Sequence, residues 1–120
     1  MSVDEIKRIL EELTERWRKG DAQGAADLFS ETAVYSEPPA HELRGRAAIA
    51  AFLRAFFASH YNVEFSFSRI LIGEGEAAAE WSFSYTRARD GARRFLSGIT
   101  FIDTAPGHIQ SWRGFSGRLE

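Results

Sequence analysis

The hydrophobic period of this chain changes once, near residue 60, and that switch limits the folds open to it. Before it, apolar residues recur every three or four positions: Ile6, Ile9, Leu10, Leu13 and Trp17, then Ile49, Phe52, Leu53 and Phe56. After it they alternate, with Val63, Phe65 and Phe67 separated by Glu64, Ser66 and Ser68. The first repeat lays an apolar stripe along a helix, and the second puts an apolar face on a strand. Helices that come first and strands that come last predict an α+β fold, a sheet with one face packed on helices.

Local signals place the elements. Ser2 followed by Glu5 has the form of a capping box, and the helix it opens should stop at Gly20. Asp21 can cap a short second helix whose Ala25, Ala26, Leu28 and Phe29 face inward, and residues 32–36 read as a brief strand. Pro38 and Pro39 should open a loop running to about Arg44, with a third helix from Arg46 to about Ser59. Gly73-Glu74-Gly75, Asp90-Gly91 and Ala105-Pro106-Gly107 then mark reversals between four long antiparallel strands, at about residues 61–72, 76–89, 93–103 and 108–117. Nothing in composition breaks the chain, so residues 1–120 are expected to form one domain.

Alternation also assigns faces. Phe65, Phe67, Trp81, Phe83, Tyr85, Phe95, Phe101 and Trp112 are expected on the concave face. Glu80, Ser82, Ser84 and Thr86 then point outward, as do Ser66, Ser68, Ile70, Leu96, Thr100, Ile102, Arg113 and Phe115. An outer face that mixes aliphatic groups, small hydroxyls and a phenylalanine is expected to pair two copies into a homodimer. Inside, three Trp and ten Phe suit either a core filled by rings or an aromatic cavity for a small hydrophobic, ring-containing molecule.

Several function classes are disfavoured. The chain has no cysteine, which removes disulfides, thiolate metal sites and a thiol nucleophile. A net charge of −2 with acids and bases interspersed gives no basic field for nucleic acid or an anionic membrane. No apolar run is long enough to span a bilayer and the first residues lack the order of a secretion signal, so the expected compartment is the cytoplasm. His41, His60 and His108 are not at ligand spacing, and neither metal nor cofactor is expected. Arg87, Arg89, Arg93 and Arg94 crowd one hairpin tip, where charge ordinarily solvates an edge.

The order and spacing of several pieces resemble one superfamily. They are Trp17-Arg18-Lys19-Gly20-Asp21 with Leu28-Phe29, Gly45-Arg46-Ala47-Ala48-Ile49, Ala79-Glu80-Trp81, and Gly107-His108-Ile109 leading to Trp112-Arg113-Gly114-Phe115. Together they are similar to the nuclear transport factor 2-like superfamily, which includes SnoaL-like polyketide cyclases, ketosteroid isomerase and limonene epoxide hydrolase. The resemblance implies a cone in which helices close one face of a curved sheet. It places Glu37 where ketosteroid isomerases carry their general-base aspartate, while that family's two oxyanion donors fall on Leu13 and Ile99, which cannot donate a hydrogen bond. The Asp–Arg–Asp set of limonene epoxide hydrolase likewise falls on Phe83, Trp81 and Gly114, so neither mechanism transfers whole.

The candidate catalytic groups are therefore Glu37, as a proton carrier beside a carbonyl, and His41, as a loop acid or base. The candidate binding residues are Trp17, Tyr35, Phe56, Phe65, Trp81, Phe83, Ser97, Ile99 and Trp112. The chemistry expected is that of an isomerase, cyclase or dehydratase. The alternative is a non-catalytic ligand-binding or dimeric assembly domain of the same fold.

Overall fold

Ser2 and Glu5 close the first helix on each other: Ser2 Oγ accepts from the Glu5 N–H at 3.2 Å, and the Glu5 carboxylate accepts from the Ser2 N–H at 3.4 Å. Helix α1 (Val3–Lys19) runs from this capping box to Gly20, whose φ of 67° ends it in the left-handed region. Asp21 accepts from the Gly24 N–H to start α2 (Ala22–Ala26), and α3 spans Arg46–Ser59. The computed structural model describes residues 1–37 and 41–118.

Six strands follow or separate these helices: β1 (Phe29–Glu37), β2 (His41–Arg44), β3 (His60–Ile72), β4 (Glu76–Arg87), β5 (Arg93–Ala105) and β6 (His108–Arg118). They form one sheet in the order β2-β1-β6-β5-β4-β3. The last four make the antiparallel meander that alternation predicts. Two features differ from the sequence reading. The segment expected as a loop up to Arg44 contains β2, paired antiparallel to β1 from Val34↔Arg44 to Glu37↔His41, and β1 itself lies parallel to β6. Four residues are too few to show a two-residue period, and a parallel pair between distant segments leaves no turn signal. Helix α3 carries the chain from β2 at one edge to β3 at the other, touching β1, β2 and β3 on the way.

The face assignment of β4 holds, and that of β5 is reversed. Directly opposed residues share a face. Trp81 faces Gly98, Phe83 faces Leu96, Ala79 faces Thr100 and Ala77 faces Ile102. Leu96, Gly98, Thr100 and Ile102 therefore line the inside, with Thr100 and Ile102 at 0% and 2% exposure. Phe95, Ile99 and Phe101, expected inside, stand on the outer face at 51%, 46% and 54%, and Ser97 goes with them. The Trp81 ring dictates this phase. It lies across position 98, where an added Cβ would sit 2.5 Å from Trp81 Cζ2 and collide with the Phe115 carbonyl, so only glycine fits. A bulge between Phe67 and Arg69 likewise turns Ile70 inward and leaves Leu71 exposed.

Against the concave face α1 lays Ile6, Leu10 and Leu13, and α3 lays Ile49 and Leu53, all at 1% exposure. This places the interior between helices and sheet, with Trp17 reaching toward β3 and β4. No helix among the described residues is long and apolar enough to cross a membrane.

Candidate functional site

Strand β1 puts Tyr35 and Glu37 on the inner face, because Tyr35 sits opposite Trp112 of β6 in the parallel register. The two rings stack at 6.0 Å and 12°. The Tyr35 hydroxyl donates to Glu37 Oε1 at 2.8 Å. Burial pushes the Tyr35 phenol well above its ordinary pKa, and the Glu37 charge and the hydrogen bond to it push the same way. Tyr35 therefore remains a neutral donor across physiological pH.

Beside this pair lies a cavity of about 30 Å³, walled by Trp17, Tyr35, Phe65, Trp81, Phe83 and Trp112 together with aliphatic groups from α1 and α3. Glu37 is the one charged side chain in that wall among the described residues. Such a volume suffices for about one water molecule. The rings thus come close to filling the cone as core and stop short at the carboxylate.

Three indoles, those of Trp17, Trp81 and Trp112, border the same space. Trp81 is 5% exposed, and its Nε1 has no hydrogen-bond partner among the described residues. Trp112 Nε1 lies over Gly114: a Cβ at that glycine would be 3.2 Å from Nε1 and 3.6 Å from Glu37 Cγ. The missing side chain at position 114 keeps the donor and the carboxylate side by side.

Seven of the residues expected at the site converge here: Trp17, Tyr35, Glu37, Phe65, Trp81, Phe83 and Trp112. Phe56 stands one layer back, 6.1 Å from the Trp17 ring and 5.6 Å from Phe83, and stacks on His60 at 4.1 Å. Ser97 and Ile99 do not reach the site, since the phase set by Trp81 over Gly98 turns both outward. Ile99 therefore cannot mark an oxyanion-donor position; the neighbouring inward group, Thr100, spends its hydroxyl on the Arg113 carbonyl at 3.3 Å. His41 pairs with Glu37 across β1 and β2, but its side chain lies outside the described residues. Sequence reasoning named Gly114 only as a position where the resemblance finds an aspartate missing, and it did not name Leu13, Phe29, Ile49 and Leu53 as walls. The helical stripe could have given Leu13, Ile49 and Leu53, but nothing local marks Gly114.

Two of the four hairpin arginines, Arg87 and Arg93, have structural partners. Arg87 binds the Asp90 carboxylate with two nitrogens, at 3.0 and 2.6 Å, and Arg93 covers Ser84 and Thr86 with hydrogen bonds of 2.8 and 3.1 Å. No cluster of three or more acidic or imidazole groups among the described residues could hold a metal ion.

A helix-closed sheet carrying an aromatic interior with one carboxylate is the architecture the resemblance implied, and the model of the SnoaL-like domain matches residues 10–112. The chain belongs to the SnoaL-like domain family. Several solved structures share the fold of this SnoaL-like chain. An LEH-like epoxide hydrolase from M. tuberculosis superposes with a TM-score of 0.84 at 18% identity, over 95% of this chain and 84% of that one. A candidate isomerase from Bacillus subtilis gives 0.87 at 19% identity, over 98% and 90%. SalBIII, an epoxide hydrolase/cyclase-like enzyme of pyran ring formation in the polyether salinomycin, gives 0.82 at 21%, over 92% and 89%. The sequence matches no curated protein. At these identities the likeness is one of fold, and the chemistry has to be argued from the cavity of this SnoaL-like domain itself.

Proposed function

We propose that this SnoaL-like domain binds a small hydrophobic, ring-containing molecule in its concave interior and moves a proton on it with Glu37, in the manner of an isomerase, cyclase or dehydratase. The observation that carries this reading is the Tyr35–Glu37 hydrogen bond of 2.8 Å at the wall of an otherwise apolar cavity. An apolar surround with one convergent polar group is the usual form of a small-molecule site. A carboxylate held there in one orientation can take and return a proton at a carbon next to a carbonyl. The cavity of about 30 Å³ is smaller than any ring, so the ligand enters by widening the cone. Phe83 of the wall is only partly buried, as are Phe52, Phe56 and Phe57 of α3 in the layers around it, so this side can give way.

Ring ketones, terpenoids and steroids should raise the melting temperature, since a ligand that binds only the folded chain stabilises it by mass action. Glu37→Gln should keep that rise and lose turnover. A panel that leaves the melting temperature unchanged would favour a non-catalytic assembly domain.

One observation supports assembly alongside binding. Phe95, Ile99, Phe101 and Phe115 are exposed together on the convex face, with Phe101 and Phe115 edge to face at 6.4 Å. We infer that a second copy covers them in a homodimer. Phe115→Arg should shift sedimentation from dimer toward monomer by placing an unpaired charge in the contact, and a wild-type chain that stays monomeric at high concentration would rule the dimer out.

A further inference from the structure

The inner face of β5 and β6 carries two glycines, Gly98 and Gly114, at diagonal positions, because Thr100 faces Gly114 in the ladder. Diagonal neighbours on one face are about 7–8 Å apart. An indole lies over each: Trp81 over Gly98, with Cε2 2.9 Å from the point a Cβ would take, and Trp112 over Gly114, with Nε1 at 3.2 Å. Glu37 Cγ flanks the second of these points at 3.6 Å. Both tryptophans line the cavity, and the Trp81 N–H is buried with no acceptor among the described residues. A buried donor left unpaired destabilises the fold, so an acceptor supplied by a ligand gains what the folded chain forgoes.

We propose that Trp81 and Trp112 donate their indole N–H groups to the oxygen of a ring ketone whose α-carbon faces Glu37. This deepens the function proposed above and rests on it. Among the described residues that line the cavity, the one other indole N–H is that of Trp17. Leu13 is apolar, the Thr100 hydroxyl is engaged with the Arg113 carbonyl, and the Tyr35 hydroxyl is given to Glu37. In the step, Glu37 takes a proton from the α-carbon and becomes a carboxylic acid. The C–H electron pair becomes the enolate double bond, and the carbonyl π pair moves onto the oxygen. The two N–H groups stabilise the charge that develops there, and the acid returns the proton to the same carbon or to a conjugated one. Donors aimed at a developing oxyanion act most strongly where water is excluded.

The test compares 2-tetralone with tetralin, the same ring system without the oxygen, by ¹⁵N NMR of the tryptophan side chains and by calorimetry. For the wild-type chain the ketone is expected to bind about tenfold or more tighter than the hydrocarbon. It should also move the Trp81 and Trp112 Nε1–H resonances downfield, which tetralin should not do. Trp81→Phe and Trp112→Phe keep an aromatic ring and remove the N–H, and each should lose most of the preference for the ketone over tetralin. Equal binding of both probes, or a preference retained in either variant, overturns the donor assignment and leaves the binding cavity standing. Failure of both probes to bind the wild-type chain overturns the cavity reading together with it. The NMR result is read on the wild-type chain, so the outcome does not depend on a variant that folds.

Discussion

On the concave face β5 contributes Leu96, Gly98, Thr100 and Ile102; on the convex face the same strand contributes Phe95, Ser97, Ile99 and Phe101. The larger rings point out and the smaller groups point in. Space on the inside is already taken by side chains from other elements, the Trp81 ring over Gly98 and the Trp112 ring beside Gly114. Burial of a strand residue thus follows from what stands opposite it, and size and apolarity alone do not decide it. The contrast has two functional consequences. Small residues inside leave room for the Trp81 and Trp112 rings, the second beside Glu37, and rings outside leave the exposed apolar face proposed above to pair two copies.

The largest effect that bears on this contrast is expected at Gly98. Gly98→Ala drives a methyl into the Trp81 ring and the Phe115 carbonyl, and should cost about 3 kcal/mol in urea unfolding. A near-neutral result would mean that Trp81 does not occupy that position. Next come two isoleucines three residues apart on one strand. Ile102→Ala, at a site 2% exposed, should cost about 2–5 kcal/mol, whereas Ile99→Ala, at 46%, should cost the monomer less than about 0.5 kcal/mol and weaken only self-association. Reversed costs would restore the other phase of β5.

A smaller effect concerns Tyr35. Tyr35→Phe removes the donor to Glu37 and should destabilise the chain by about 1 kcal/mol. The sign of the pH dependence follows from the raised phenol pKa. The folded state holds the Tyr35 proton more tightly than the unfolded chain does, so this contribution is intact below the ordinary tyrosine value of about 10 and is lost as pH rises toward the raised one. Alkaline unfolding curves should therefore fall more steeply for wild type than for Tyr35→Phe. Parallel curves would show that the phenol is not held in the buried site beside Glu37.

Much of this architecture was legible in the sequence. The helices were marked by caps and period, and β4 was read correctly because Trp81, Phe83 and Tyr85 alternate with Ser82 and Ser84 without interruption. Residues 95–102 carry apolar groups on both phases, so alternation could not choose between them; the phase follows from a tryptophan on the neighbouring strand. Strand β2 is four residues long and β1 pairs with a segment far along the chain, so neither left a periodic or turn signal. Of the site, Glu37 came from the family resemblance and the aromatic wall from alternation. Gly98 was invisible as a functional position and Gly114 was read only as a missing aspartate, because the value of an absent side chain depends on what fills the space above it.

The central claim, that Glu37 carries a proton in the concave cavity, is tested most directly by isotope exchange. In D₂O, wild-type chain should speed deuterium entry at the α-carbons of 2-tetralone, followed by proton NMR, while Glu37→Gln should fall to the uncatalysed rate and still bind the ketone. Exchange no faster with wild type than in buffer, or equally fast with Glu37→Gln, would contradict it.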